Sequence, residues 1–426
     1  MKNKIIIGYD IGDRYSQISY CTFDGGDPET LSVIAGEESY NIPTVLCKRR
    51  GVNQWFYGKE AHKHAQVNGS MLVTNLITLA KKGEMVQIEE EEFDPIALLT
   101  LFMKRSLTLL SMVSSQDRIG AIMVTCQNLD SRMVEILNIV VAGLSLKTKT
   151  VFFQGHEESF YYYTIHQPEE LWRKNVLVCD YNVDNVKIYR MECNYKTTPI
   201  VAFVEDEEHP FISLDELPDT VTLRKNIFRQ MDDRFLSILN EVCEGRIITS
   251  VYLIGEGFKE DWMTESLKYL CRNKRVFQGN NLYSKGACLA CREKLYASEV
   301  GKAHVFLGND KLKANIGMKV VREGEDSYLA LLDAGISWFE ANNSLTFLLE
   351  SGNSFSLLIT PLNGRDIKRA HVTLEGLPVR KKAPSRLYLE IKMTDENNIS
   401  LEVEDLGFGE MFPTTHQKWI ESFEVI

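Results

Sequence analysis

Two aspartates in this chain follow apolar runs and open tight turns. Asp10 ends Ile5-Ile6-Ile7-Gly8-Tyr9, and Asp180 ends Val176-Leu177-Val178-Cys179. A second strand-like stretch follows each turn, Ser16 to Phe23 after the first and Val186 to Met191 after the second. Each unit reads as a β-hairpin with a carboxylate at its tip. Two such hairpins facing one another can close on a metal-bound phosphate, the carboxylate oxygens reaching the metal directly or through water. The alternative is that both aspartates accept backbone hydrogen bonds within their own turns. The first turn keeps Gly12. The second reads Asn182-Val183-Asp184, and a β-branched residue resists the positive φ that a phosphate-cradling loop uses.

Other reactive residue types fall into less specific patterns. Cys288 and Cys291 have metal-ligand spacing, but no second pair lies at zinc spacing, so two small thiols facing into the protein are expected. His62 and His64 stand two apart on a helix and do not share a face. No Ser-His-Asp or Gly-Xaa-Ser-Xaa-Gly arrangement appears. The cluster Tyr161-Tyr162-Tyr163 suits core packing, and the acidic runs Glu89–Glu92 and Glu205–Glu208 suit solvated loops. With 48 basic and 59 acidic residues the formal charge is −11, which argues against a nucleic-acid or anionic-membrane partner. The apolar run Leu137–Leu146 is too short to span a bilayer, which takes about 20 residues. Lys2 and Lys4 precede too few apolar residues for a signal peptide. Nine cysteines, mostly within apolar runs, fit reduced thiols in a cytoplasm.

The elements that must position these residues alternate in type up to about residue 300. Strands are expected at 42–47, 55–57, 119–125, 150–153, 251–254 and 275–277, and helices at 58–66, 96–113, 128–141, around 161–163, 223–243 and 283–295. Asp94 with Pro95 marks one helix start, and Asn128 or Asp130 marks another. Glu205–Asp219 reads as an acidic loop. Beyond Val305 period-two runs dominate: 327–332, 345–349, 354–359, 371–374, 387–393 and 399–404. Polar turns separate them, among them Asn363-Gly364-Arg365-Asp366. An α/β half over 1–300 and an all-β sandwich or barrel over 301–426 are expected.

Taken in order, the motifs resemble the actin, sugar-kinase and heat-shock ATPase superfamily, and within it the DnaK-type heat-shock chaperones. Asp10-Ile11-Gly12-Asp13-Arg14-Tyr15-Ser16 resembles that family's first phosphate loop, and Asp180-Tyr181-Asn182 stands where the second belongs. Ile42-Pro43-Thr44-Val45 with Tyr57-Gly58-Lys59-Glu60-Ala61 is similar to its early segments. Val124-Thr125-Cys126-Gln127 and Ser284-Lys285-Gly286-Ala287 resemble its two connecting helices, and Leu253-Ile254-Gly255-Glu256-Gly257 its adenosine-binding turn. Leu374-Glu375-Gly376-Leu377-Pro378 and Leu389–Val403 resemble its peptide-binding β-sandwich. The resemblance covers nearly the whole chain. It implies a two-lobed actin-like ATPase domain of the ribonuclease H-like class, with a reduced subdomain around 195–245, then a β-sandwich. With the sequence ending at Ile426, it implies a member without the helical lid.

What the resemblance implies for function is tempered by departures from the pattern. Its cofactor would be Mg-ATP or Mg-ADP, held by Asp10, Gly12, Arg14, Asp180, Gly255 and Gly257, with Asp10 and Asp180 on the metal. Asp13 and Arg14 replace the family's two threonines. Asp13 sets a carboxylate beside phosphate oxygens, and Arg14 offsets it by binding phosphate directly. The family's glutamate falls near Glu157, and its lysine near Lys81 or Lys82. In the sandwich the peptide cleft maps to the turns carrying Arg322, Glu323, Ser327, Glu350 and Ser354. The expectation is a chaperone-related module with a degenerate nucleotide site that binds protein or peptide clients, and a co-chaperone. Two alternatives stand beside it: a working ATP-dependent chaperone using Arg14, Lys81 or Lys82, and Glu157, and an actin-like subunit that assembles.

Overall fold

The computed structural model describes residues 4–34, 36–68, 70–218, 220–279, 281–362, 366–378 and 384–425. It divides into two compact units, Met1–Phe306 and Leu307–Ile426, at the place where the sequence texture changes.

The first unit is mixed α/β and is built from two lobes of the same design. Lobe one holds β1 (Ile5–Ile11), β2 (Tyr15–Thr22), β3 (Gly25–Thr30), β4 (Ile119–Cys126) and β5 (Val151–Gly155), in the order β5-β4-β1-β2-β3. Lobe two holds β6 (Asn175–Tyr181), β7 (Asn185–Asn194), β8 (Ile200–Pro210), β9 (Ile248–Ile254) and β10 (Arg275–Gln278), in the order β10-β9-β6-β7-β8. In each lobe the hairpin's first strand runs antiparallel to its second and parallel to the fourth strand. Each even repeats a register shift after the first residue of that strand, at Ile5/Ile6 and Asn175/Val176. β1 and β6 are buried on both faces, which is why they read as unbroken apolar runs.

Two helices exchange places between the lobes. The helix His156–Ile165 continues from β5 of lobe one, yet Phe160, Tyr161 and Ile165 pack with Val176, Val178 and Tyr189 of lobe two. The helix Leu282–Leu295 follows β10 of lobe two, yet Ala287, Cys288, Ala290 and Cys291 pack with Ile6, Ala121 and Met123 of lobe one. Cys288 and Cys291 are thus core thiols. The two helices meet at Gly286, where a Cβ would lie 1.9 Å from the Ser159 carbonyl oxygen.

The sequence expectations need several corrections here. The acidic stretch Glu205–Glu208 is not a loop: it lies in β8, pairing with β7, with Arg190 held to Glu205 and Lys187 to Asp206. Ala202 and Val204 face the core, while at Glu205–Glu208 every side chain is exposed, so both faces of β8 meet water there. Glu89–Glu92 likewise belongs to a small hairpin, Val86–Ile88 with Glu91–Phe93. The helix expected over 96–113 is an α-helix only over Pro95–Ser106 and tightens into a 3-10 turn at Leu107–Met112. This apolar segment is long enough to cross a membrane by length and composition, but buries Leu98, Leu99, Phe102 and Met103 in the core. The stretch 42–47 splits into strands Ile42–Pro43 and Leu46–Lys48.

The second unit is a sandwich of two four-stranded antiparallel sheets. Its strands are β11 (Ala314–Arg322), β12 (Glu325–Leu332), β13 (Asn342–Leu349), β14 (Ser354–Pro361), β15 (Lys368–Thr373), β16 (Ser385–Met393), β17 (Asn398–Asp405) and β18 (Lys418–Glu424). One sheet runs β12-β11-β14-β15 and the other β13-β16-β17-β18. Alternation is clean in β16 and β17, where Leu387, Leu389, Ile391, Leu401 and Val403 are buried between polar neighbours. β11 and β18 were not among the expected strands. The turn expected at Asn363–Asp366 lies largely outside the described residues.

Candidate functional site: the cleft between the two hairpin tips

Asp10 and Asp180 occupy equivalent places. Asp10 pairs across its hairpin with Gln17 and sits beside Thr125 of β4; Asp180 pairs with Lys187 and sits beside Ile254 of β9. Both line one cavity of about 190 Å³, together with Gly12, Arg14, His156 and Gly255. The sequence motifs therefore converge as expected, but their side chains are already engaged.

Asp10 is held by His156, whose Nε2 lies 2.8 Å from its Oδ1. The His156 ring stacks on Tyr283 at 3.7 Å between centroids and 11° between planes. Tyr283 donates its hydroxyl to Asp180 Oδ2 at 3.0 Å, and the Asn182 amide donates to Oδ1. The two aspartates are thus joined through a stacked His–Tyr pair on the two exchanged helices. Burial pushes the Asp180 carboxyl up to about 6, with the Asp10 charge adding to the rise and the nearby His156 opposing it. His156 and Tyr283 carry no recognisable motif. A histidine opening a helix directly after Gly155 was the available signal, and it pointed to Glu157 instead.

Arg14 spans the cleft. Its guanidinium grips Asp215 at 2.5 Å and 2.6 Å and donates to the Asn182 carbonyl at 3.3 Å. Asp215 lies in a short turn that follows β8, and the Arg14 hydrogen bond holds its carboxyl below the usual carboxylate range. Arg14 thus rests against a carboxylate of the chain itself through one guanidinium nitrogen, in a pair open to solvent. Asp13 lines the same cavity, and its carboxylate is engaged with the chain as well. It accepts from the Ile77 and Thr78 backbone at 2.8 Å and 3.2 Å and from the Thr78 hydroxyl at 2.6 Å. It so caps the helix Leu76–Lys82, whose own N-cap residue Asn75 is left-handed and makes no side-chain cap.

The remaining candidates divide. Gly255 lines the cavity with φ +98°, and a Cβ there would meet the Tyr181 carbonyl oxygen at 2.3 Å. Gly257 does not line it; its bare Cα makes room for the Tyr181 ring, which a Cβ would approach to 2.0 Å. Glu256, between them, accepts from Asn41 of lobe one and from Lys259 at 2.8 Å. Lys81 is paired with Asp130 at 2.8 Å, where Asp130 also caps the helix Ser131–Gly143, and neither Lys81 nor Lys82 lines the cavity. Glu157 does not line it either. Burial raises its carboxyl, the charge of Asp206 adds to this, and Lys187 opposes it. Lys81 is taken by Asp130 and Glu157 is half-buried elsewhere, while Lys82 points to solvent.

The cavity is small and shares Asp13, Arg14, Tyr15, Asn41 and Val183 with a larger groove beside it. Its own volume lies below the roughly 300 Å³ at which small-molecule pockets begin. Among the described residues no cluster of three or more His, Cys, Asp or Glu side chains is arranged to hold a metal. The larger groove, of about 1090 Å³, is also lined by Lys59, His62, Arg224, Lys259 and others. Within it Arg224 is paired with Glu260 and Lys259 with Glu256.

In the second unit, the expected peptide-binding residues also separate. A slot of about 710 Å³ lies between the sheets, lined by Arg322 and Glu350 but not by Glu323, Ser327 or Ser354. Glu323 (φ 52°) and Gly324 (φ 86°) form the two-residue turn joining β11 to β12. Ser327 pairs with Val320, and Ser354 with Thr373.

Residues 27–309 match the family of unknown function (DUF5716), C-terminal. That match spans more than half of the chain. The chain belongs to the DUF5716 family. In this DUF5716 protein the match begins after the Asp10 hairpin and takes in the remainder of both lobes. Residues 311–425 match a domain of unknown function (DUF8552), so the passage from one match to the next falls beside the structural division at Phe306. No curated protein matches the chain.

Proposed function

We propose that this protein is a DnaK-like protein-binding module, in which a two-lobed actin-like ATPase scaffold has lost effective nucleotide binding and the β-sandwich holds an extended segment of a partner protein. The observation that carries this reading is the slot in the sandwich. The β11–β14 ladder ends at Met318↔Leu357, so Lys319–Arg322 of β11 no longer pair with β14. Under this opening Val320, Leu345, Phe347, Leu349 and Phe355 are only half-buried. Unpaired strand edges above an apolar floor suit a peptide that adds backbone hydrogen bonds and inserts alternate side chains. The two-sheet architecture is the one the chaperone resemblance implies for its peptide-binding half. The engaged state of Arg14, Asp13 and Lys81 supports the loss of nucleotide.

Two measurements test the reading. A labelled peptide with an apolar centre binds the full chain, and Phe347→Ala weakens it about tenfold or more, since burying a Phe side chain is worth about 1.5–3 kcal/mol. Unchanged affinity in that variant, with an intact fold, would remove the slot from the proposal. Calorimetric titration with Mg-ATP and Mg-ADP gives no heat up to millimolar nucleotide. Micromolar binding that Asp10→Ala abolishes would instead favour a working ATPase.

A further inference from the structure

The mouth of the sandwich slot carries more positive than negative charge. Lys319 and Arg322 on β11 and Arg369 on β15 line it, against the single carboxylate of Glu350. All three cations are exposed, and none has a carboxylate partner among the described residues. Glu323, Glu325 and Asp326 sit at the β11–β12 turn, but none of them lines the slot. The lining therefore runs against the chain as a whole, whose formal charge is −11.

Resting on the protein-binding reading above, we propose that the slot selects extended segments whose apolar centre is flanked by aspartate or glutamate. The apolar side chains face Leu345, Phe347 and Phe355, and the flanking carboxylates meet Lys319, Arg322 and Arg369 at the rim. Rim charges at an interface set preference and association rate more than total affinity. Basic flanks meet the same three cations with only Glu350 to offset them.

The test uses the full chain and three fluorescent peptides that share one leucine- and valine-rich core, flanked by Asp/Glu, by Ser or by Lys/Arg. Anisotropy titrations at low salt give the acid-flanked peptide about three- to tenfold tighter binding than the basic one, with the neutral one between. The difference shrinks to less than about twofold near 0.5 M salt, where exposed charges are screened. Arg322→Glu with Arg369→Glu reverses the order of the acidic and basic peptides, and both positions are exposed enough to leave the thermal midpoint in place. Equal affinities for all three peptides, or a preference for basic flanks, overturn the flank proposal and leave the protein-binding reading standing. No binding of any peptide by the folded protein overturns both.

Discussion

Gly286→Ala is expected to destabilise the first unit by more than about 4 kcal/mol, enough to remove most folded protein at 37 °C. The new Cβ would lie 1.9 Å from the Ser159 carbonyl oxygen, 2.7 Å from its carbon and 3.1 Å from its Cα. All three are backbone atoms, so no rotamer change relieves the clash, and the two helices must move apart. Ser159 cannot retreat freely: its hydroxyl bonds the Thr125 hydroxyl at 2.7 Å and accepts from Gln154 at 2.6 Å, both buried in lobe one. Alanine also gains about 1 kcal/mol of helix propensity over glycine, which works against the effect and is much the smaller of the two. Gly279→Ala is the matched control, because a Cβ there meets nothing within 4 Å. Urea denaturation followed by circular dichroism reads both. A Gly286→Ala midpoint close to that of the parent would mean that the helix crossing is looser than described.

That crossing shows where sequence reasoning stopped. Each hairpin was legible because an apolar run meets an aspartate at a turn, and the fully buried strands β1 and β6 left no alternation to misread. The third strand of lobe two was not legible. β8 exposes both faces over Glu205–Glu208, so its composition there is that of a solvated loop. Nor could spacing reveal that the helix after β5 packs on the other lobe, since an amphipathic helix does not state which sheet it covers. In the sandwich, β16 and β17 were legible because their inner faces are fully buried. β18 reads Lys418-Trp419-Ile420-Glu421-Ser422-Phe423-Glu424, an edge strand that leaves Ile420 69% exposed, and its pattern does not declare a buried face. The site was half legible for a related reason. Types and order placed Asp10, Gly12, Arg14, Asp180 and Gly255 around one cavity. The partners that decide what those groups can do, His156, Tyr283 and Asp215, come from segments far away in sequence and carry no pattern of their own.

Asp180→Asn is expected to stabilise the protein at neutral pH, by about 3 kcal/mol at most. The carboxyl is buried and titrates at about 6 in the folded chain against an ordinary 3.8, a difference of about 2 units at 1.36 kcal/mol each. The sign follows from the direction of the shift. Below about pH 4 the group is protonated in both states and contributes no penalty. As pH rises from there the unfolded chain ionises first, so folding is progressively disfavoured, and above about pH 6 the full cost of burying the charge applies. An amide removes that cost while its oxygen can still accept the Tyr283 hydroxyl, and Asn182 can turn its own amide to suit. The gain in thermal midpoint is therefore at most about 6–10 °C near pH 7.5 and falls towards zero by pH 4. A variant no more stable than the parent at pH 7.5 would mean that the ionised carboxylate is well solvated or paired in the cleft. The same pair of proteins tests the metal-phosphate reading of the hairpin tips. A cation bound between Asp10 and Asp180 would relieve the buried charge, so millimolar Mg²⁺ would raise the parent's midpoint and leave that of Asp180→Asn alone. With the cleft crossed by Arg14 and Asp215 and both aspartates already held, Mg²⁺ is expected to move neither.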